Sequence, residues 1–270
     1  MAEPDALFVR RGDLYEPTPL AHGPWAAGFL HGGPVLGLLA HGAERHRPSG
    51  DVVAARLTVD LHRPVPMAPL ELATRVVREA RRIALVDVAL RAAGREVARA
   101  SALFARASDA PAREPFGGAT VPPPGPEGLP TTAIVPKGTS PSVPPGFHRE
   151  AWVRWAGAPD SDAPAAWMRL PMALVADAAC TPFERAATLA DLGNAIAGVV
   201  RRRGPGAHAP YINPDATLYL EREPRSEWIA LAPVALSETD GVGLVALALF
   251  DEHGAIGRAA STRLHNPVPA

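Results

Sequence analysis

One carboxylate stands out among the side chains that could do chemistry, because it is predicted to lie on a largely apolar helix. Asp191 falls within Phe183–Val200, a segment that follows Pro182 and has apolar residues at helical spacing. Asn194 comes three residues later and would project from the same helical face. A carboxylate among small residues that face a sheet needs polar partners, so Asp191 could act as the base that activates water. A solvated or helix-capping carboxylate is the alternative interpretation.

A second candidate lies at a predicted helix start in the first half of the chain. His31, Gly32 and Gly33 precede Pro34, and proline is favoured at the first helical position. The glycine amides could receive an anion or a carbonyl oxygen, since amides at a helix start point away from the helix. Alternatively, the glycines serve only a tight turn, and His31 has a structural role.

Alternating apolar and polar residues predict strands in both halves, and the two halves repeat one another. Thr58 and Thr217 lie 159 residues apart (217 minus 58), as do Arg63 and Arg222. Without a gap at this offset, 12 of 49 pairs are identical from residue 57 to 105, against roughly four expected by chance. The repeated strands favour a shared structural role for the two arginines.

A proline-rich segment separates the two halves. Pro111–Pro145 holds 11 of the 31 prolines and lacks the amide donors and periodicity of packed elements. We therefore predict a linker over residues 109–146, between an N-terminal unit, 1–108, and a C-terminal unit, 147–270. Each unit reads as one or two strands, a central helix and then several antiparallel strands. The predicted fold class is α+β, a double hotdog, in which each sheet wraps one helix and the sheets join edge to edge.

Several segments, in order, resemble the thioesterase II-type (TesB-like) acyl-CoA thioesterases of the thioesterase-like superfamily. The matching segments are Phe29–Leu36, Leu57–Pro66, Ala187–Asn194, Asn213–Thr217 and Glu221–Trp228. This family hydrolyses acyl-CoA thioesters with an Asp on the second helix, a Thr or Ser on the next strand and a Gln on the last strand.

The resemblance carries over residue by residue to four catalytic candidates. The Asp falls on Asp191, the hydroxyl position falls on Asn213, and the Gln position falls on Ser261 or Thr262. Asn213 could orient the water, and Ser261 or Thr262 could donate a hydrogen bond. His31, Gly32, Gly33 and Asn194 are the candidate substrate-binding residues.

Other chemistries lack sequence support. The chain has no Gly-x-Ser-x-Gly elbow, no zinc-ligand spacing and no glycine-rich phosphate loop, so we expect no cofactor and no metal. A net charge of −1 and the single cysteine, Cys180, indicate a cytoplasmic protein without nucleic-acid or membrane partners. The expected partner is an acyl-CoA or acyl-carrier thioester, and exposed outer strands predict a homo-oligomer.

Three functions remain open from the sequence. The first is thioester hydrolysis at Asp191. The second is acyl binding or scaffolding without catalysis, suggested by the altered site positions, and the third is a hydratase or dehydratase that would use His31 in a His–Asp pair. Arg201, Arg202 and Arg203 could contact the phosphates of coenzyme A, although solvated residues at a helix end are the favoured interpretation.

Overall fold

The strands predicted in the two halves join one another edge to edge in a computed structural model of the chain. The structure describes residues 5–24, 26–111, 121–134, 145–157, 161, 164–200 and 211–266, with the side chains of 198–200 left out. The strands are Ala6–Arg11 (β1), Leu14–Pro17 (β2), Val52–Leu61 (β3), Leu70–Glu79 (β4), Ile83–Ala92 (β5), Arg95–Arg106 (β6), Trp152–Gly157 (β7), Ala165–Arg169 (β8), Ala173–Val175 (β9), Tyr211–Ile212 (β10), Asp215–Leu220 (β11), Ile229–Thr239 (β12), Val242–Asp251 (β13) and Gly254–His265 (β14). The helices are Gly32–Glu44 (α1), Phe147–Glu150 (α2), Pro182–Ala190 (α3) and Gly193–Val200 (α4), and a short 3-10 helix spans Pro19–Ala21.

Within these residues, 14 strands form one sheet that is antiparallel except where β1 meets β9. The order is β7-β8-β12-β13-β14-β11-β3-β6-β5-β4-β2-β1-β9, and β10 pairs with β14. From the central β3–β11 pair outward, β3-β6-β5-β4 on one side has the same relative order as β11-β14-β13-β12 on the other. The two halves of the chain therefore form equivalent sets of strands that meet at the β3–β11 pair.

The repeat predicted from the sequence is confirmed by the register of the strands. Thr58 pairs with Ser101 in the first half, and Thr217 pairs with Ala260, at the same offset, in the second. Thr58 and Thr217 also pair with each other where β3 meets β11, and their hydroxyl oxygens lie 3.4 Å apart. The equivalent strands β3 and β11 therefore pair antiparallel, with the two threonines opposite each other.

Helix α1 is almost wholly buried, and it packs antiparallel to α3. Its glycines permit the close approach, since a Cβ on Gly37 would lie 2.1 Å from the Thr188 hydroxyl oxygen and one on Gly33 would lie 2.6 Å from the Thr188 carbonyl oxygen. Helix α3 begins in a capping box, in which Thr181 and Glu184 satisfy each other's backbone amides. None of the described helices is long and apolar enough to cross a bilayer.

The single helix predicted over Phe183–Val200 is wrong in one respect, because it is interrupted at Asp191. The amide of Leu192 donates to the Leu189 carbonyl at 3.0 Å, and that of Asn194 donates to the Asp191 carbonyl at 3.4 Å. These bonds span three residues instead of four, so a tighter turn separates α3 from α4. The apolar periodicity continues across this turn and conceals it.

The described part of the proline-rich segment, residues 121–134, lies along the outer strands of the second half. The indole nitrogen of Trp167 donates to the Pro124 carbonyl at 2.7 Å, and Arg154 donates to the Pro126 carbonyl at 3.0 Å. Trp167 and Trp228 are buried there in a small second core, whereas 40% of Trp152 is exposed.

The repeated arginines do not share a role. Arg222 donates two hydrogen bonds to Asp251, at 2.7 and 2.6 Å, and the amides of Arg225 and His253 donate to the same carboxylate. The position equivalent to Asp251 in the first half is Ala92. Burial alone would raise the pKa of the Asp251 carboxyl, but the hydrogen bonds from Arg222 and the amides outweigh it and lower that pKa.

We expect Asp251→Asn to reduce the free energy of unfolding at pH 7 by about 1–3 kcal/mol, because buried donors lose a charged acceptor. Because the pKa of Asp251 is lower in the folded protein than its ordinary value of 3.8, the charged carboxylate stabilises the fold fully above that value. This stabilisation disappears as pH falls through the pKa of the folded state. Urea denaturation of both proteins from pH 7 down to pH about 3 should therefore show a nearly constant difference down to about pH 4 and a narrowing below it. Asp87→Asn is the control, because Asp87 pairs with Arg75, of whose side chain 73% is exposed, and should change stability by less than about 1 kcal/mol. If the difference in unfolding free energy between the wild type and Asp251→Asn widens as pH falls, the stabilising role of the Asp251 carboxylate is contradicted.

Candidate active site

The candidate site lies where α1 begins and α3 ends, so it takes residues from both halves. His31 is the N-cap residue of α1 and Asp191 is the C-cap residue of α3. Both side chains are buried, with 9% of His31 and 2% of Asp191 exposed. A carboxylate so removed from water requires close polar partners.

Two side chains supply those partners. The amide nitrogen of Asn213, which precedes β11, donates to Asp191 Oδ1 at 2.7 Å, and His31 Nδ1 lies 3.0 Å from Asp191 Oδ2. One carboxylate oxygen thus faces an amide from its own half, while the other faces an imidazole from the first half. Together they hold the carboxylate in one orientation.

Gly32 allows the carboxylate to lie directly against the backbone of α1. A Cβ on Gly32 would come 2.5 Å from Asp191 Oδ1 and 2.8 Å from Oδ2 and Cγ, which is closer than real contacts. The position therefore excludes every other residue while Asp191 keeps its place. It also puts the carboxylate beside the positive end of the α1 dipole.

The imidazole of His31 has two neighbours at the same nitrogen. Besides the Asp191 contact, His31 Nδ1 lies 3.1 Å from the Gly33 amide nitrogen, which donates to it as an N-cap bond. A single ring nitrogen donates a proton or accepts one, but does not do both. Protonated Nδ1 would bond to Asp191, and unprotonated Nδ1 would bond to the Gly33 amide.

Two aromatic residues of α2 cover His31. The Phe147 ring meets the imidazole edge-on, with centroids 5.1 Å apart, and the His148 ring stacks on it with centroids 6.2 Å apart. Both residues are buried. Neither residue is predicted from the sequence, because both directly follow the proline-rich segment and no periodicity or spacing connects them to His31.

A narrow cavity opens beside Asp191 between the helices and the sheet. Its polar members are Asp191, Thr217 and Ser261. The larger apolar residues that line it come from both halves and are Leu36, Leu57, Val59, Leu218, Val245 and Leu247. The cavity has a volume of about 10 Å³, about the room that one water molecule needs. A buried carboxylate therefore meets a water-sized, mostly apolar space.

Comparisons with known proteins assign the chain to a family. The profile described as the acyl-CoA thioesterase N-terminal domain matches residues 21–105, and the corresponding C-terminal domain matches residues 119–262. The chain belongs to the acyl-CoA thioesterase family. Membership supports a role in thioester hydrolysis, and none of the proteins with curated descriptions matches the sequence.

Solved structures with a similar fold include hotdog-fold proteins. A conserved hotdog-fold protein from Alicyclobacillus acidocaldarius is 17% identical, with 98% of each chain covered and a TM-score of 0.69. The TesB protein of Mycobacterium avium subsp. paratuberculosis is 15% identical, with 96% of each chain covered and a TM-score of 0.67. Acyl-CoA thioesterase II TesB2 from Mycobacterium marinum is 16% identical, with 96% of this chain and 94% of that chain covered and a TM-score of 0.65.

The structure brings most of the predicted site residues together. Asp191, Asn213, His31, Gly32 and Gly33 form one contiguous group, through the contacts described above. Ser261 lines the same cavity as Asp191. Their catalytic and binding roles remain predictions.

Two predicted residues lie elsewhere. Thr262 alternates with Ser261 along β14 and so points to the opposite face of the sheet, where its amide donates to Asp215. The side chain of Asn194 accepts from Arg263 at 2.8 Å and donates to the Tyr211 carbonyl at 3.0 Å. The helix break after Asp191 explains why Asn194 does not share its surroundings. Residues 201–203, the three arginines considered for coenzyme A, lie outside the described residues.

A second buried acid–histidine pair occurs further along the same helix pair. His41 Nδ1 lies 2.8 Å from Glu184 Oε1, and 3% of the Glu184 side chain is exposed. Glu184 also caps α3, so this pair joins the helices.

Burial, followed by the neighbouring Glu184, raises the pKa of the Cys180 thiol to about 12, which keeps it protonated and unsuited to nucleophilic attack. Across the described part of the chain, no cluster of His, Cys, Asp and Glu could hold a metal ion.

We expect Gly32→Ala to lower the free energy of unfolding by about 1–3 kcal/mol, because the new methyl group would displace the Asp191 carboxylate from Asn213 and His31. Urea denaturation measures the loss. In an Asp191→Ala background the same substitution has room, so its cost should fall markedly in a double-mutant cycle. Gly125→Ala is the control, because nothing lies within 4 Å of a Cβ there. If Gly32→Ala lowers the free energy of unfolding equally in the wild-type and Asp191→Ala proteins, the contact with Gly32 does not hold the carboxylate in place.

Proposed function

We propose that this chain is an acyl-CoA thioesterase in which Asp191 activates the water that attacks the thioester. One observation carries the proposal: a carboxylate with 2% of its side chain exposed lies at a water-sized, apolar cavity and is oriented by two polar neighbours. General-base catalysis needs such a carboxylate within reach of a water and fixed toward it.

We propose further that the architecture is a double hotdog, with units at 1–108 and 147–270 and a linker at 109–146. The repeated strand order on each side of the β3–β11 pair supports this division. So does the matching of separate N-terminal and C-terminal family profiles to the two halves. In this architecture the site lies between the two central helices, so neither unit would hold it alone.

The proposed reaction starts with water hydrogen-bonded to Asp191. As the water oxygen bonds to the thioester carbon, Asp191 takes one of its protons, and the carbonyl oxygen becomes an oxyanion. The amides at the start of α1, at Gly32 and Gly33, would stabilise this charge together with the helix dipole. Collapse of the intermediate breaks the carbon–sulfur bond, and the thiolate receives the proton that Asp191 took. The products are a carboxylic acid and a free thiol.

The neighbours of Asp191 would act on its orientation and its charge. Asn213 holds one carboxylate oxygen, which leaves the carboxylate a fixed direction toward the cavity. His31 can share a proton with the other oxygen, and when it does so it no longer accepts from the Gly33 amide. That amide then becomes available to an oxyanion. Ser261, on the cavity wall, would donate a hydrogen bond to the water or to the substrate.

We expect Asp191→Asn to reduce kcat/KM for acyl-CoA hydrolysis by about 10²- to 10⁴-fold, because the amide cannot accept the proton from water. Release of free thiol from a series of acyl-CoAs measures the rate. Asp13→Asn serves as the control, since the Asp13 side chain is fully exposed and should leave the rate unchanged. Stabilisation by acyl-CoA without any thiol release would instead favour an acyl-binding protein without catalysis.

A hydratase or dehydratase is a second candidate, and the His31–Asp191 contact of 3.0 Å favours it. Hydration of a 2-enoyl thioester adds the water oxygen to the β-carbon and a proton to the α-carbon, so it needs one base and one acid. Two titratable side chains in contact could divide these tasks.

His31→Asn distinguishes the two reactions, because asparagine still caps α1 but carries no titratable ring. In a hydrolase His31 supports Asp191, so we expect this variant to lose less activity than Asp191→Asn. In a hydratase both variants should lose about 10²- to 10⁴-fold of enoyl-CoA hydration. Absorbance of the enoyl thioester and thiol release, followed in parallel, separate the outcomes. Wild-type hydration without thiol release would contradict the thioesterase.

A further inference from the structure

The segment that carries Asn213 has only a short stretch of strand pairing to hold it. Asn213 directly follows β10, which consists of Tyr211 and Ile212 and pairs with the end of β14. On its other side, the Pro214 carbonyl accepts from the Leu61 amide at 2.8 Å. A two-residue strand is shorter than most strands in globular proteins. Side-chain contacts are therefore needed to fix the direction of the Asn213 amide.

Arg263, on β14, supplies such contacts through Tyr211. Its Nε donates to Asn194 Oδ1 at 2.8 Å, and the Asn194 side-chain nitrogen donates to the Tyr211 carbonyl at 3.0 Å. The guanidinium carbon also lies 4.4 Å from the centre of the Tyr211 ring, within the range of a cation–π interaction. Arg263 thus holds the ring of Tyr211 directly and its backbone through Asn194.

The charge of Arg263 is buried together with that of its partner. Only 4% of the Arg263 side chain and 10% of the Glu238 side chain are exposed, and Arg263 donates to Glu238 Oε1 at 2.6 Å. Desolvation offsets most of the attraction in a buried ion pair, so apolar side chains of similar volume often stabilise a fold as well or better. Stability alone is therefore a weak reason for an arginine at this position.

The first half of the chain shows that the position does not need an arginine. At the offset of the repeat, Phe104 is equivalent to Arg263 (263 minus 104 is 159), and it occupies the same place in the burial pattern of its strand. Ala54 is equivalent to Asn213 at the same offset (213 minus 54). The arginine and the amide that contacts Asp191 therefore occur together in one half and are both missing from the other.

We propose that Arg263 is a positioning residue, which fixes Asn213 through Asn194 and Tyr211 and thereby orients the Asp191 carboxylate. The proposal rests on the function proposed above and adds a residue to that site. The last step is the bond from the Asn213 amide to Asp191 Oδ1, at 2.7 Å. Arg263 is not among the described residues that line the cavity. It acts on the direction of the base, so its loss should lower kcat more than it changes KM.

The test is a double-mutant cycle of Arg263→Met and Asn213→Ala, with kcat and KM measured from thiol release on a series of acyl-CoAs. Arg263→Met alone should lower kcat by about 10- to 10²-fold, because a misdirected base is costly. In the Asn213→Ala background it should lower kcat further by less than about threefold, since the arginine acts through that amide. Arg222→Met is the matched control. It also removes an ion-paired arginine of the second half, but beyond the opposite end of β11, and should leave kcat unchanged.

Equal losses of kcat in the two backgrounds would overturn the proposal, because they indicate a general structural effect. A change in KM without a loss of kcat would also overturn it. If Arg263→Met does not fold, Asn194→Ala replaces it, because this variant keeps the pair of Arg263 with Glu238 and removes only the link to the Tyr211 backbone.

If the wild type releases no thiol from any acyl-CoA, the proposed function fails, and hydrogen exchange then decides the positioning role. The backbone amides of residues 211–213 should exchange faster in Arg263→Met than in the wild type, because β10 opens more often without the arginine. In Arg222→Met they should exchange at the wild-type rate. Unchanged exchange in Arg263→Met would show that the arginine does not hold this segment.

Discussion

The contact between the Asp191 carboxylate and the backbone of Gly32 is the constraint on which the candidate site depends. It joins the end of one central helix to the start of the other, across the two halves of the chain. Burying a carboxylate in this position is costly unless it is paired. Asn213 and His31 supply the hydrogen-bonding neighbours, and the start of α1 supplies a favourable dipole. A larger residue at position 32 would disrupt all three arrangements together.

At the other end of the α1–α3 pair, a carboxylate also contacts the opposite helix, but there it is paired with a cation. Glu44, at the end of α1, accepts from the Thr181 hydroxyl at the start of α3, at 3.1 Å. There, however, Arg47 bonds to Glu44 and also to Glu223, and its guanidinium lies 5.4 Å from the centre of the Phe104 ring. The cation neutralises the carboxylate and occupies the space beside it. One end of the pair is thus filled by an ion-pair network, while the other retains a carboxylate beside a cavity.

The repeat explains why two halves with so few identities build equivalent sheets. A strand needs only alternating apolar residues in the right register, so most side chains can change while the pairing persists. Polar residues are more sensitive, because each requires particular partners. Arg222 bonds to Asp251, whereas the residue equivalent to Asp251 in the first half is Ala92, which offers no carboxylate. The halves therefore share a backbone plan and differ in this buried polar contact.

By itself, the sequence determined several strands of each half, the start of α1 to within two residues, the repeat and the family resemblance, because periodicity, proline and glycine signals, and motif order are all encoded locally; α1 begins at Gly32, so Pro34 is its third residue and not its first. It also selected Asp191, His31 and the two glycines as residues that could do chemistry. Only the tertiary structure decided that these residues meet, that the helix breaks after Asp191 and separates it from Asn194, and that Phe147 and His148 cover His31. Those contacts join positions far apart in the chain, and their geometry follows from how α1 and α3 pack, which a one-dimensional pattern does not specify.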